Sequence, residues 1–347
     1  MLQQIKTAVL LPWYAISIFT GEKSFRRNPI LGSVRLNRRG LHVWRVKLAA
    51  RIVAWRRQYL EYMISDEDRN AYDANGYIEK RDLLPPDLFA ALVTEIENLR
   101  VPAREMYEGN AVTRRTPLTP DVVKDNPAIK AFLESKEWTG LIRYIGGFDV
   151  EPVISVQTIF AEATPKGKGK DPQTNLHMDT FHSTVKAWFF LYDVPMDEGP
   201  FTYVRGSHKL TKRRLAWQKR KSVLSAQNHA GGAFRISPGE LKYLHLPEPT
   251  AFAVPANTLV VGDTFGFHAR GASSRASVRV EIYASQRPNP FLPVVGLDTA
   301  ALPLVKGRKQ VIPWVFEDLA VKLGLGKQKW FSVGRPKPGE PVANGKG

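Results

Sequence analysis

From about residue 150 onward the chain consists of short alternating apolar runs closed off by Gly, Pro, Asn or Asp, and this texture limits the possible folds more than any other feature. The runs at 153–160, 185–192, 201–204, 258–261 and 278–284 read as strands. No long helical pattern separates them, so a parallel doubly wound sheet is excluded and an antiparallel sandwich or barrel is predicted. Helices precede the strands. Ser65 is placed to cap a helix opening on Asp66, Glu67 and Asp68 and ending at Asn75-Gly76. A second is predicted over 87–99, with Leu88, Phe89, Leu92, Val93 and Ile96 on its buried face and Pro102 stopping it. The expected class is mainly β with flanking helices (α+β). Residues 164–172 (TPKGKGKDP) read as an irregular loop.

At 347 residues and 43% hydrophobic content the chain can fill one large core or two modest ones. It has no cysteine, which excludes a disulfide scaffold, a zinc ribbon, an iron–sulfur cluster and a thiol nucleophile. Its net charge of +17 is local: residues 1–60 carry twelve Lys and Arg against Glu22 alone, and residues 205–221 carry eight with no acid.

The apolar stretch 8–19 (AVLLPWYAISIF) is shorter than the roughly 20 residues that span a bilayer and contains Pro12, so no transmembrane helix is expected. With Lys6 alone as a basic flank and no small-residue cleavage pattern, it is not expected to be a cleaved signal peptide either. Residues 41–63 have helical periodicity. Trp44, Leu48, Ile52, Trp55, Tyr59 and Met63 fall on one arc about 100° wide, with Arg45, Lys47, Arg51, Arg56 and Arg57 around it. One reading docks this helix on the domain with its charges in water. The other lays it on an anionic membrane surface, with aromatic side chains at headgroup depth and about 1 kcal/mol per cation, and the apolar stretch beside it favours this second reading. Nucleic acid is disfavoured, because the basic residues come without a recognition motif. The chain is thus divided into a basic membrane-surface segment (1–64), a β domain with N-terminal helices (65–290) and a basic C-terminal extension (291–347), with a cytoplasmic location on the inner face of a membrane.

Three residues suggest chemistry. His177 and Asp179, in Asn175-Leu176-His177-Met178-Asp179, lie at i and i+2, so on an extended strand they point to one side. His268 on a distant strand could complete a set of two imidazoles and one carboxylate, which leaves coordination positions open and suits non-haem Fe(II). An H-x-D pair is also found as an ordinary polar strand edge. Arg279 alternates with Val278 and Val280 on the last run, where it could enter a barrel and meet a planar dianion, or else face solvent or pair with Glu281.

The chain here resembles the phytanoyl-CoA dioxygenase (PhyH-like) family of Fe(II)- and 2-oxoglutarate-dependent oxygenases. The likeness runs over about residues 68–285: YDANGYI at 72–78 leading to Leu83-Leu84-Pro85, His177-Met178-Asp179, AWFFLYDV at 187–194, EGPF at 198–201, VRGSHK at 204–209, Gly262-Asp263, His268 and Arg279. The resemblance implies a double-stranded β-helix core (jelly roll, cupin-like) with iron held by His177, Asp179 and His268. It implies 2-oxoglutarate held at its far carboxylate by Arg279, and O2 as oxidant, with succinate and CO2 as co-products. Trp188 matches a family position near the co-substrate and could equally be core filler; Gln157 and Ser277 are candidate co-substrate contacts. Asp179 is present where halogenating relatives lack the carboxylate, which favours hydroxylation. His208 is assigned to a structural turn, and His182 to the surface or the pocket rim. If the basic run 205–221 lines the mouth of the site, the substrate is anionic: an acyl thioester, a phosphorylated lipid or a lipid-linked sugar acid. The expected activity is hydroxylation of an unactivated C–H bond of such a substrate. The alternative is a non-catalytic lipid- or anion-binding protein that keeps only the barrel.

Overall fold

A computed structural model of the chain describes residues 10–162, 172–297, 302 and 305–343. The predicted loop lies almost wholly outside the described residues, as do the first two residues of the apolar stretch. The strands are β1 (Tyr77–Lys80), β2 (Arg104–Glu108), β3 (Ala111–Pro117), β4 (Val153–Ala161), β5 (His177–Met178), β6 (Val185–Phe190), β7 (Phe201–Tyr203), β8 (Phe234–Arg235), β9 (Thr250–Ala251), β10 (Thr258–Asp263), β11 (His268–Arg270), β12 (Ser277–Gln286) and β13 (Phe331–Ser332). They form a major sheet of order β1-β10-β6-β12-β4-β3-β2-β13 and a minor sheet of order β8-β5-β11-β7-β9, antiparallel throughout. This is the jelly roll expected.

Strand alternation builds the layers. On β12, Val280, Ile282 and Ala284 join Phe189, Leu259 and Val261 in a cluster under the helices Pro86–Asn98, Pro127–Leu133 and Lys136–Gly146. Between them alternate Arg279, Glu281 and Tyr283. Aromatic residues, among them Trp188, Phe190, Phe201, Tyr203 and Tyr283, pack in the barrel interior. On the minor sheet, Met178, Phe181, Phe234 and Phe267 pack with Val46, Ala49 and Trp217 from the helices Leu41–Leu60 and Lys212–Gln227.

The helix Leu41–Leu60 meets the first reading of its sequence in part. It is docked, but through His42, Arg45, Val46, Ala49, Val53, Arg56 and Leu60, while Trp44, Trp55 and Tyr59 are exposed. The docked reading had put the charges in water, whereas Arg45 and Arg56 are buried. Arg45 donates to the carbonyls of Ile18, Thr20 and Glu22 at 2.8–2.9 Å and stacks on Phe181; Arg56 donates to the Leu292 carbonyl and stacks on Phe148. A planar guanidinium can be buried where irregular backbone supplies acceptors and a ring covers its face. The basic run 205–221 enters the helix Lys212–Gln227 on the outer side of the minor sheet, with Arg214 buried against Phe267. The C-terminal extension is also built in: β13 pairs with β2, and the carbonyls of Lys337, Pro338, Glu340 and Pro341 accept from the buried Arg114.

His182 is buried, not superficial, and His42 has a partner, Gln218, at 2.8 Å. Burial lowers the imidazole pKa to about 4 at His42 and His208 and about 3 at His182. The unfolded chain therefore binds protons that the folded chain refuses. Stability should be intact above about pH 6.5 and fall as pH drops toward 4, by up to about 1.4 kcal/mol per pH unit for each histidine. Thermal melts across this range should show a steadily falling midpoint; a flat profile would contradict the burial of these side chains.

Candidate metal centre

In the minor sheet, β11 pairs with β5 so that His268 lies directly opposite His177. The two rings come within 4.6 Å, centroid to centroid. Asp179 follows two residues after His177, tied back by its N–H to the Thr264 carbonyl at 3.1 Å. Its Oδ1 stands 3.6 Å from His177 Nε2 and 3.7 Å from His268 Nε2, and one ligand atom from each residue falls within 4.8 Å of the others.

Both imidazoles are oriented by backbone. His177 Nδ1 is 2.7 Å from the Asn175 carbonyl and His268 Nδ1 is 3.0 Å from the Gly266 carbonyl. A carbonyl only accepts, so each Nδ1 carries a proton and Nε2 is the atom each ring has left to offer a metal. Gly266 has no room for a side chain, because a Cβ there would collide with Tyr203 Oη. Among the described residues the buried His268 Nε2 has no hydrogen-bond partner, an arrangement that a metal ion completes. Burial, with Lys186 and His177 nearby, holds the His268 pKa near 3 despite the Asp179 charge, so the ring stays neutral. Burial alone would raise the Asp179 carboxyl. The Lys186 ammonium, 2.7 Å from Oδ2, together with His177, His268 and Arg287, outweighs it and keeps the group well below the usual carboxylate range. Two imidazole nitrogens and an ionised oxygen, with room left beside them, fit Fe(II).

His177 and His268 border a cavity of about 160 Å³, lined also by Gln157, Lys186, Trp188, Arg279, Tyr283 and Trp330. Arg279 faces inward, but it is engaged: Nη1 donates to the Gly199 carbonyl at 2.7 Å and Nε lies 3.0 Å from Glu281 Oε2. Arg279 is buried rather than turned to solvent, and it both lines the cavity and pairs with Glu281. Gln157 also lines the cavity, yet its amide donates to Glu281. Trp188 both lines it and packs on Phe201, ring centroids 4.2 Å apart. Ser277 is not brought to this cavity; it opens onto a space of about 20 Å³ that Arg279 also lines. No residue of the basic run 205–221 lines the cavity, so that run does not form its mouth.

Several residues of the site escaped the sequence reading. Lys186 could have been found, because it precedes Trp188 by two and so shares its strand face. Arg115 on β3 and Trp330 after the C-terminal helix carry no local signal. A larger cleft of about 660 Å³ lies beside the helices near Trp138 and contains none of the predicted ligands.

This jelly roll and its two-histidine, one-carboxylate centre define the class of non-haem iron, 2-oxoglutarate-dependent oxygenases. The sequence profile of the phytanoyl-CoA dioxygenase (PhyH) family matches residues 72–269, more than half of the chain, and the protein belongs to that family. Solved structures similar to it include the epimerase SnoN with Fe3+ and alpha ketoglutarate (18% identity over 63% of this chain and 82% of that one, TM-score 0.40). HygX from Streptomyces hygroscopicus with nickel and 2-oxoglutarate (15%, 65% and 87%, 0.40) and EctD from S. alaskensis (14%, 64% and 76%, 0.40) are similar to the same degree. No curated protein sequence matches the chain.

Asp179→Ala should lower Fe(II) affinity by more than 100-fold, and Lys186→Met, which removes only the outer partner, by about 10- to 100-fold. Anaerobic equilibrium dialysis reads both. Unchanged binding in Asp179→Ala would exclude the site.

Proposed function

We propose that the protein hydroxylates an unactivated C–H bond of an anionic substrate carrying an acyl or other lipid group. The observation that carries this reading is the composition of the cavity wall: Arg115, Lys186, Arg270 and Arg279 stand there against Glu108, among Met106, Trp188, Phe201, Tyr283 and Trp330. A wall of cations and aromatic rings selects negative charge joined to apolar surface. Support also comes from the surface next to Trp330. Trp330 contacts Trp314 at 5.9 Å, and the helix Val311–Lys322 that carries Trp314 turns Val315, Phe316 and Leu319 to solvent while Asp318 is bound by Arg104.

Iron with 2-oxoglutarate and O2 supplies the oxidising chemistry: the co-substrate loses CO2 to give succinate and one oxygen atom enters the substrate. The protein's own groups hold and orient. His177, His268 and Asp179 would bind the metal, with the tautomers fixed by Asn175 and Gly266. Lys186 holds Oδ2 of Asp179, so that Oδ1 faces the histidines. Arg279 is the group placed to receive the far carboxylate of 2-oxoglutarate, with Ser277 beyond it, Glu281 fixing the guanidinium, and Gln157 acting on the co-substrate through Glu281. Trp188 and Phe201 exclude water from the inner wall.

The purified protein with Fe(II), 2-oxoglutarate and O2 should form succinate slowly even without substrate, and His177→Ala should abolish this. Arg279→Ala should raise the KM for 2-oxoglutarate by about 100-fold, the weight of a charge-assisted contact of nearly 3 kcal/mol. Mass spectrometry of lipid extracts from cells with and without active protein should show an anionic species gaining one oxygen atom. Gain confined to neutral, water-soluble compounds would overturn the substrate class. Folded protein that gives no visible charge-transfer band with anaerobic Fe(II) and 2-oxoglutarate would favour a binding protein.

A further inference from the structure

The helix Leu41–Leu60 turns Trp44, Trp55 and Tyr59 outward, with Leu48 and Ile52 half-buried between them, and Tyr62 continues the row. The spacings of four, four, three and four keep these residues on one side, so the row from Trp44 to Tyr59 is about 22 Å long at 1.5 Å per residue. A second set, Leu11, Trp13, Ile16 and Phe19, comes from the preceding segment and is continuous with the first, because the Phe19 and Trp44 rings meet edge to face at 5.8 Å. The segment is fixed alongside by Arg45, which binds the carbonyls of Ile18, Thr20 and Glu22, and by Asn28, which donates to the Tyr14 carbonyl. The named aromatic residues of both sets are between 40 and 77% exposed, far more than solvent-facing packing requires.

The same segment is rich in exposed cations. Arg26, Arg27, Arg35, Arg38, Arg39, Lys47 and Arg51 are exposed, and Glu22 is the sole acid of residues 1–60. We propose that this surface docks on an anionic lipid bilayer, with Trp13, Trp44, Trp55 and Tyr59 at headgroup depth and the arginines and lysines on lipid phosphates. Aromatic residues interleaved with cations match that interface. A second copy of the chain would bring like charges together. A nucleic acid would leave Leu11 and Ile16 without a partner. Among the described residues no helix is long and apolar enough to cross a membrane, so attachment is in the plane of the surface. The proposal stands apart from the substrate reading.

Flotation of the full chain with vesicles tests it. Vesicles of equal parts phosphatidylcholine and phosphatidylglycerol should retain the protein, phosphatidylcholine alone should not, and salt should release it. Each cation is worth about fivefold in binding, so the doubly reversed variant Lys47→Glu/Arg51→Glu should bind at least about 25-fold more weakly. Trp44→Ala/Trp55→Ala/Tyr59→Ala should also be lost from the vesicles. Both variants should keep cooperative melts and the slow succinate formation of the wild type. The proposal is overturned if wild-type protein ignores anionic vesicles, binds both kinds equally, or is unaffected by either variant. It is overturned equally if the variants abolish duplex-DNA binding or self-association while the wild type leaves vesicles alone. Loss of succinate formation with vesicle binding intact would strike the enzymatic reading and leave this one standing.

Discussion

The strands that carry the two histidines of the candidate metal centre are two and three residues long, and a slip of one residue in their pairing would turn His268 to the other face of the minor sheet. Their register therefore has to be held from outside, and the buried carboxylate of Asp263 is placed to do so. It accepts from Tyr72 at 3.0 Å, Ser183 at 2.7 Å, Arg57 at 3.2 Å and the Phe265 N–H at 3.0 Å. Those partners belong to the first domain helix, the loop after Asp179, the N-terminal helix and the turn that leads into His268. The same loop and turn are joined again where the Thr264 N–H donates to the Thr184 carbonyl at 2.7 Å. A buried carboxylate with that many donors has its lone pairs satisfied. It converts four separate stretches of sequence into one rigid support for the metal ligands.

The legible part of this protein was whatever repeats at short range. Strand alternation gave β4, β6, β7, β10 and β12 nearly to their ends, and Ser65 with Gly76 gave the first domain helix, because pleat and cap depend on neighbours alone. The i, i+2 spacing of His177 and Asp179 was legible for the same reason. Meeting His268 ninety-one positions later needed the family's ordered motifs, since no local rule specifies which strands pair. Lys186 beneath Asp179 and Trp330 at the cavity were not read, because each is a contact between separate elements or with the tail, whereas Glu281 as partner of Arg279, two places along the same strand, was among the alternatives the spacing offered. The helix Leu41–Leu60 shows the limit of periodicity as evidence. Its apolar arc is real, yet the fold turns that arc outward and buries two arginines, because backbone carbonyls and phenyl rings outside the helix satisfy them.

The flanking segments serve the centre as well as the surface. The Lys23 ammonium, from the stretch just after the exposed aromatic segment, donates to the backbone carbonyl of Asp179. Burial, with Arg287 beside it, lowers its pKa to about 8. At the other end of the chain, Trp330 reaches the cavity just before β13 joins the major sheet. Segments on both sides of the jelly roll, at Lys23 and Trp330, are thus fastened within reach of the candidate metal site.

A crystal loaded anaerobically with Fe(II) and measured at the iron absorption edge would address the central claim most directly. One anomalous peak should lie within bonding distance of His177 Nε2, His268 Nε2 and one Asp179 oxygen, with the far side of the ion open toward Arg279 and Trp188. Iron bound elsewhere, or a peak that leaves any of the three uncoordinated, would contradict the site on which the rest of the account stands.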